Sequence, residues 1–182
     1  MTNLKFQIIF FLFFLLFSCN MQNNNKRIER TVKQWYGRKI VFPDSLQLLQ
    51  NNKLIVVDST FFNYSHLKII TIVSGEYEMC VEDIKRWFTF YDEIKEQDQE
   101  TELYFVIENI NFDYFMSVYY PEIPDNFKLI IDRDKRFYFK NEMEDLTYNT
   151  FLLNHDNEII LLGSPLFSKE FKKLYTKKLN LK

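Results

Sequence analysis

Cys80 is the residue of this 182-residue chain whose type and position could support nucleophilic chemistry. It ends the stretch SGEYEMC (74–80), after a β-branched apolar run and at the start of a strongly patterned helix. A helix N-terminus favours the thiolate, which is the form of cysteine that acts as a nucleophile. The position is therefore compatible with a single reactive thiol.

The residues around Cys80 also allow an inert thiol. At helical spacing, Ile84 and Trp87 share its face, so the cysteine would be a small buried apolar residue, and burial raises the pKa of a thiol. Glu76 and Glu78 add negative charge where a thiolate would form. Both interpretations stay open from the residues alone.

The other cysteine, Cys19, ends an N-terminal segment organised like a signal peptide. Lys5 precedes ten consecutive apolar residues, Ile8 to Phe17. That length fits a signal-peptide core, whereas a membrane helix needs roughly 20 residues. The sequence LFSC (16–19) resembles the lipobox of bacterial lipoproteins, whose cysteine is acylated, for example with palmitate, and becomes the first mature residue. We therefore expect a signal peptide over 1–18 and a lipid on Cys19, with residues 19–26 forming a flexible tether.

A lipid on Cys19 would place the protein in the cell envelope, anchored to the membrane. The tether lacks the acidic cluster that marks surface export in some lipoproteins, so we expect a periplasm-facing domain. Cys80 would then be the only free thiol, and no intrachain disulfide could form in this oxidising compartment. The formal net charge of −2, with no basic stripe, argues against nucleic acid as a partner.

The remaining polar residues do not form a recognisable metal or cofactor motif. His66 and His155 lie on different predicted elements, whereas a zinc site needs three or four converging ligands. Three glycines cannot build a phosphate or dinucleotide loop. We therefore expect no metal and no cofactor. The triplets DSL and DST resemble an O-glycosylation acceptor, which leaves open whether Ser45 or Ser59 carries a sugar.

Strands and helices alternate along the chain around Cys80. Strand–helix alternation predicts parallel crossovers, and the late hairpin adds an antiparallel edge. The predicted elements, in order, are a helix over 27–36, edge strands and loops over 37–60, a buried strand in 66–75, a helix from Cys80 to Ile94, a strand over 101–109, a helix over 112–120 stopped by Pro121, a strand over 126–132, a hairpin over 149–163, and a final helix burying Phe171, Leu174, Tyr175 and Leu179.

This order, with a cysteine in the first turn after the first central strand, resembles the thioredoxin fold. It is most similar to envelope lipoproteins and periplasmic thiol reductases with thioredoxin-like domains. The resemblance implies an α/β three-layer sandwich, with a central mixed sheet, a C-terminal β-hairpin and flanking helices. It covers roughly residues 65–178, so we expect a thioredoxin-like domain over 65–182, preceded by an N-terminal helix and edge strands over 27–64. It is carried by KIITIVSGEYEMCVEDIKRWFTFY (68–91), LYFVIEN (103–109) and YNTFLLNHDNEIILLGSPL (148–166).

In that family, two cysteines three residues apart and a cis-proline form the active site. The first cysteine is the nucleophile, the second resolves the mixed disulfide, and the proline shapes the substrate groove. Aligned on this pattern, Cys80 is the second cysteine, Tyr77 replaces the first, and Asn149 stands where the proline would be. The dithiol cycle cannot run with these residues. The resemblance therefore implies a binding groove at Tyr77, Cys80, Asn149 and Thr150.

Three functional hypotheses follow. The leading one is a lipid-anchored envelope protein whose thioredoxin-like fold is redox-inactive and serves as a binding or accessory module for an envelope protein or peptide. The alternative is an enzyme, a monothiol oxidoreductase or peroxide-reactive protein that uses Cys80. A third is a structural subunit of an envelope assembly that uses its aromatic loop at Tyr119 and Tyr120.

Overall fold

The computed structural model describes residues 26–63, 66–76, 78–98, 100–108, 111–144 and 148–181, without the side chains of residues 79–81. The chain divides into two compact units, Met1–Trp35 and Tyr36–Lys182. The described part of the first unit is the helix α1 (26–35), where Lys33 and Glu29 form an exposed ion pair of 2.8 Å. The predicted signal peptide, Cys19 and all of the tether except Lys26 lie outside the described residues.

The second unit contains one sheet, which has seven strands within the described residues. Their order across the sheet is β2-β1-β5-β4-β3-β6-β7. The neighbours β3, β4 and β5 run parallel, and the hairpins β1–β2 and β6–β7 join them antiparallel on opposite sides. This is the predicted mixed sheet with a late antiparallel hairpin. The strands are β1 Leu46–Gln50, β2 Lys53–Val57, β3 Lys68–Ser74, β4 Glu102–Glu108, β5 Lys128–Asp132, β6 Thr150–Leu153 and β7 Ile159–Leu162.

Helical segments cover both faces of this sheet, so the unit has three layers. On one face, α2 and α5 pack with the segment that begins at α3. On the other, Phe62 stacks on Phe42 with ring centroids 3.9 Å apart, and Phe42 contacts Phe137 of α4 at 5.5 Å. No helix among the described residues is long and apolar enough to cross a membrane. The bounds are α2 Glu78–Gln97, α3 Phe112–Tyr114, α4 Arg136–Lys140, α5 Lys169–Lys178 and a 3₁₀ turn at Ser59–Phe62.

The helix α2 follows the sequence prediction and starts two residues before Cys80. Its apolar residues recur at helical spacing, and Ile84, Trp87 and Ile94 are at most 3% exposed. The indole of Trp87 meets the ring of Phe105 edge to face, at 6.2 Å between centroids. This packing holds α2 against β4 in the centre of the sheet.

The predicted helix over 112–120 continues through Pro121, so the expectation that this proline stops it is wrong. The α-helical turn passes into a π-helical turn, Phe115–Tyr119, and then a 3₁₀ turn, Tyr120–Glu122. Pro121 is tolerated because it lies in the first turn of the 3₁₀ segment, where its missing N–H removes no helical hydrogen bond. Phe115 and Tyr120 from this segment are buried in the core.

The helix α4 is not among the elements that the sequence patterns predict. Asp132 starts this helix: its carboxylate accepts the backbone N–H of Arg136 at 2.9 Å and of Phe137 at 2.8 Å. Lys135 precedes α4 in the left-handed region at φ +53°. The carboxylate therefore satisfies two N–H groups that the first turn of a helix leaves open.

Candidate functional site

A groove opens at the carboxyl end of β3, beside α2, where the sequence analysis placed its candidate site. The cavity has a volume of about 190 Å³. Among the described residues, four segments line it: the end of β3, the second and third turns of α2, the residues that enter β6, and the loop after β7. We call this cavity the groove; its lining side chains include Thr71, Ile72, Ser74, Asp83, Arg86, Trp87, Asn149, Thr150, Ser164, Leu166 and Phe167.

Asn149 extends the pairing of β6 with β3 by one residue. Its backbone oxygen accepts the N–H of Ile72 at 2.7 Å, and its side-chain amide donates to the oxygen of Ile72 at 3.2 Å. In a regular antiparallel pair, a backbone N–H makes this second bond. Proline has no backbone N–H, so Asn149 supplies from its side chain a donor that a proline would lack. The described residues contain no cis peptide bond, and Tyr148–Asn149 is trans.

A buried pair of hydroxyl groups joins the same two strands. Thr71 on β3 and Thr150 on β6 are register partners, and their Oγ1 atoms are hydrogen-bonded. Both residues are at most 2% exposed. The Thr150 hydroxyl also lies 3.4 Å from Oδ1 of Asn149, and the Thr150 carbonyl accepts the N–H of Gly163 at 2.8 Å. These bonds give the groove a fixed wall.

The rim of the groove combines an ion pair with an exposed aromatic ring. Arg86 donates to Oδ1 of Asp83 at 3.0 Å on α2, and both side chains are about 60% exposed. Phe167, in the loop after β7, is 65% exposed. Ser164 holds that loop by accepting the N–H of Leu166 at 3.2 Å. The rim therefore offers charged, hydroxyl and apolar contacts within one cavity.

Two of the four predicted binding residues, Asn149 and Thr150, line the groove. The backbone of Cys80 lies in the first turn of α2, but its side chain lies outside the described residues, as does the whole of Tyr77. That these residues bind a ligand stays a prediction. Sequence reasoning missed the rim. In the sequence, Arg86 is one of several charged residues on the polar face of α2, and Phe167 is a single aromatic residue in a loop. Neither pattern indicates a binding site.

A second polar row, also missed, lies at the same edge of the sheet. Ser74, Glu108 and Asp132 end the three parallel strands and are register partners in that order. The hydroxyl of Ser74 and Oε1 of Glu108 are buried without a hydrogen-bond partner among the described residues. The sequence feature that could have predicted this row is a polar residue at the end of each of the three parallel strands.

The electrostatics of this row favour a neutral Glu108. Glu108 is 7% exposed and Asp132 is 2% exposed. The pKa of Glu108 is raised to about 7, mainly by burial and also by the negative charge of Asp132, while Lys135 opposes the shift. Burial also raises the pKa of Asp132, against the effect of the two N–H groups that it accepts. Glu108 can therefore exchange a proton near neutral pH.

Comparison with known proteins identifies the fold. No protein-family model and no curated protein matches the sequence. Among solved structures, the chain is similar to a putative thiol:disulfide interchange protein, DsbE, from Chlorobium tepidum. The TM-score is 0.56 and the identity 11%, over 79% of this chain and 97% of that chain. The fold is thioredoxin-like.

Other thioredoxin-like structures match equally well. Arabidopsis thaliana ScoI with copper bound gives a TM-score of 0.56 at 12% identity, covering 78% of this chain and 98% of that chain. Plasmodium yoelii thioredoxin peroxidase I gives 0.57 at 14% identity, covering 80% of this chain and 88% of that chain. These matches show the shared thioredoxin-like fold and not a shared activity, because proteins of one fold perform different chemistry.

Proposed function

We propose that the chain is a lipid-anchored cell-envelope protein whose thioredoxin-like domain binds a peptide or protein segment in the groove and does not perform dithiol exchange. The observation that carries this proposal is a groove built around Asn149 in a chain that has no C-x-x-C pair. Its two cysteines, Cys19 and Cys80, are far apart in sequence. Dithiol exchange needs an attacking and a resolving thiol within reach of each other.

The groove suits an extended segment with one large apolar side chain. Phe167 and Leu166 provide an apolar wall, and covering a phenylalanine ring contributes about 2 kcal/mol. Ser164 and the Arg86–Asp83 pair lie in the same cavity and can bind polar groups of the segment. Because Asn149 and Thr150 are held by bonds to β3, the wall is pre-organised, which favours binding.

The lipid on Cys19 would hold this domain next to the membrane through the tether, so that the bound segment belongs to an envelope protein. Metabolic labelling with an alkyne-bearing palmitate tests the anchor. We expect labelled protein in the membrane fraction, and neither label nor membrane retention after Cys19→Ser. Equal labelling of the Cys19→Ser variant would refute the anchor without affecting the groove.

A photo-crosslinking amino acid, incorporated at one position in cells that produce the protein, tests whether the groove binds a partner. Placed at Phe167, it should give a discrete adduct. Placed at Phe139, which is 60% exposed on α4 and does not line the groove, it should give none of that size. The adduct should weaken in the Tyr77→Ala/Asn149→Ala double variant. Identical adducts from both positions, or an adduct that the double variant leaves intact, would contradict the proposal.

One observation favours a second candidate, a monothiol enzyme that uses Cys80. This residue lies in the first turn of α2, a helix of twenty residues, so the helix dipole there favours a thiolate. Glu78 in the same turn opposes it. This candidate requires that Cys80→Ser abolish peroxide or disulfide reduction by the protein, whereas the binding proposal requires that the same variant keep the Phe167 adduct.

A further inference from the structure

The strand β2 forms one edge of the sheet, at the opposite side from the hairpin β6–β7. Three consecutive apolar residues on it are exposed: Leu54 by 42%, Ile55 by 46% and Val56 by 68%. A regular, exposed and apolar edge strand is a template for pairing with another strand. We propose that β2 pairs with β2 of a second copy of this chain, antiparallel and about a two-fold axis at Ile55.

The other edge strand of the sheet, β7, is protected against such pairing. Ile159 at its start donates to the backbone oxygen of Arg38 at 3.0 Å and accepts the N–H of Gly37 at 2.8 Å. A register shift in β6 also interrupts its pairing with β7. Natural sheets block edge pairing with covering segments and irregularities of this kind. Within the described residues β2 has neither, because its pairing with β1 is regular throughout and its central residues are exposed.

The turn between β1 and β2 determines which backbone groups of β2 point outward. Asn51 and Asn52 both have positive φ, +50° and +58°, as a two-residue type I′ turn requires. The two residues that flank such a turn are hydrogen-bonded to each other, and bonded pairs alternate along the hairpin. The N–H and C=O groups of Leu54 and Val56 therefore point away from β1, toward the exposed edge.

These outward groups are self-complementary in an antiparallel pair. With Ile55 opposite Ile55 of the second copy, Leu54 lies opposite Val56 of that copy, and Val56 lies opposite its Leu54. Each of these two pairs exchanges both backbone hydrogen bonds, and its side chains lie on the same face of the sheet. The same patch serves both copies, and because the edge at β7 is protected, the association closes at a dimer.

The charges at the two ends of β2 also fit an antiparallel second copy. Lys53 begins the strand, is exposed, and is its one charged residue. Asp58 follows the last residue of the strand and is also exposed. Antiparallel pairing brings Lys53 of each copy to the end of the other copy that carries Asp58, whereas parallel pairing would place like charges side by side. A second copy supplies this complementary pattern by symmetry.

Cysteine cross-linking of the full chain in producing cells tests the register of this pair. The two Ile55 residues would form a non-hydrogen-bonded pair with Cα atoms about 4.5 Å apart, which is within disulfide reach. We expect Ile55→Cys to give a covalent dimer after oxidation with copper phenanthroline, seen by non-reducing electrophoresis. Lys53→Cys should give no more dimer than Phe139→Cys on α4, because this register separates the two Lys53 residues by roughly 13 Å. The parent measures the background from Cys19 and Cys80.

Charge substitution at the two-fold axis gives a second test. In Ile55→Lys, two lysines would lie directly opposite each other, which is destabilising. We expect the dissociation constant of the dimer, measured by sedimentation equilibrium of the full chain in a mild detergent, to rise at least about tenfold. Leu174→Lys, 47% exposed on α5, is the matched control and should leave it unchanged. An equimolar mixture of Ile55→Lys and Ile55→Glu should restore the dimer, because opposite charges then face each other.

A monomeric parent, equal cross-linking of Ile55→Cys and Phe139→Cys, or a dimer that Ile55→Lys leaves intact would overturn the proposal. Variants with lysine and glutamate at position 55 that fail to pair with each other would rule out the two-fold axis there. Should Ile55→Lys fail to fold by circular dichroism, Val56→Lys, at the more exposed position, replaces it and should also weaken the dimer. None of these residues lines the groove, so the result is independent of the function proposed there.

Discussion

Asn149 and Ile72 are joined by one backbone and one side-chain hydrogen bond, which together end the β6–β3 pairing at the wall of the groove. The side-chain amide of Asn149 donates the second hydrogen bond of this pair, which a proline at the same position could not donate. It also keeps the Asn149 side chain at the wall, with Oδ1 near the Thr150 hydroxyl. The geometry of the groove therefore depends on an amide group and on two threonine hydroxyls.

Replacing Asn149 with alanine removes one hydrogen bond and leaves the carbonyl of Ile72 without its side-chain donor. We expect the free energy of unfolding to fall by about 1 kcal/mol, measured by urea denaturation. Asn126→Ala, at an exposed loop position, is the matched control and should stay within about 0.5 kcal/mol of the parent. An Asn149→Ala variant as stable as the control would show that the amide bond does not hold the strand end.

The Thr71–Thr150 hydroxyl pair predicts strong non-additivity. Thr71→Val or Thr150→Val alone removes the hydrogen bond between two buried hydroxyls and should destabilise the protein by about 1–3 kcal/mol. The double variant replaces both hydroxyls with methyl groups of the same shape, so it should be less destabilised than the sum of the singles. A double-mutant cycle by denaturation measures this coupling. Strict additivity would mean that the two hydroxyls do not interact.

Glu108 should make stability depend on pH between about 4.5 and about 7. Its pKa is higher in the folded protein than in the unfolded chain, so the folded state holds the proton more tightly in this window. Its contribution to stability is complete below about 4.5 and is lost as the pH rises to about 7. We expect Glu108→Gln to remove a loss of stability on the order of 3 kcal/mol from this window.

Thermal unfolding at several pH values measures this effect as the difference between the parent and Glu108→Gln. Glu96→Gln, at an exposed position on α2, is the matched control and should leave the profile unchanged. Asp132 and Lys135, whose charges shift the pKa of Glu108, are retained in both variants. Parallel pH profiles for the parent and Glu108→Gln would contradict a proton held on Glu108.

Gly163 connects β7 to the loop that carries Phe167, and it should not tolerate a side chain. Its φ is +107°, and an added Cβ would lie 2.6 Å from Cε1 of Phe171. We expect Gly163→Ala to cost about 2–4 kcal/mol of unfolding free energy, from strain and a displaced ring. Gly37, at φ +77°, has open space around it, so Gly37→Ala should cost only the strain, about 1 kcal/mol. Denaturation of the two variants should separate them, and equal losses would rule out the contact with Phe171.

The sequence predicted the elements well where one pattern dominated. The apolar stripe of α2 and the β-branched run of β3 each identified one element type. In α5 the prediction was partly wrong: Tyr175 is buried, but Leu174 is 47% exposed. Adjacent residues on a helix point about 100° apart, so both can be buried only if the helix presents the side that lies between them to the core. Phe90 and Tyr91 on α2 are both buried, whereas α5 is oriented so that only Tyr175 of the pair is.

The candidate site was less accessible from sequence. The resemblance located Asn149 and Thr150 because they follow the order of elements. The row of Ser74, Glu108 and Asp132 requires knowing that β3, β4 and β5 are neighbours, and sequence order alone does not give strand order. The Lys128–Glu102 ion pair at the amino ends of β5 and β4 has the same origin, because those residues meet only through that strand order.

The rate at which an alkylating reagent modifies Cys80, followed against pH on the folded full chain, tests the central claim most directly. Peptide-level mass spectrometry separates Cys80 from Cys19. The proposal of a redox-inactive binding module predicts that Cys80 stays unmodified until denaturant unfolds the protein. Rapid modification of the folded protein, with an apparent pKa below about 7.5, would show an accessible, activated thiol and contradict it in favour of the monothiol enzyme.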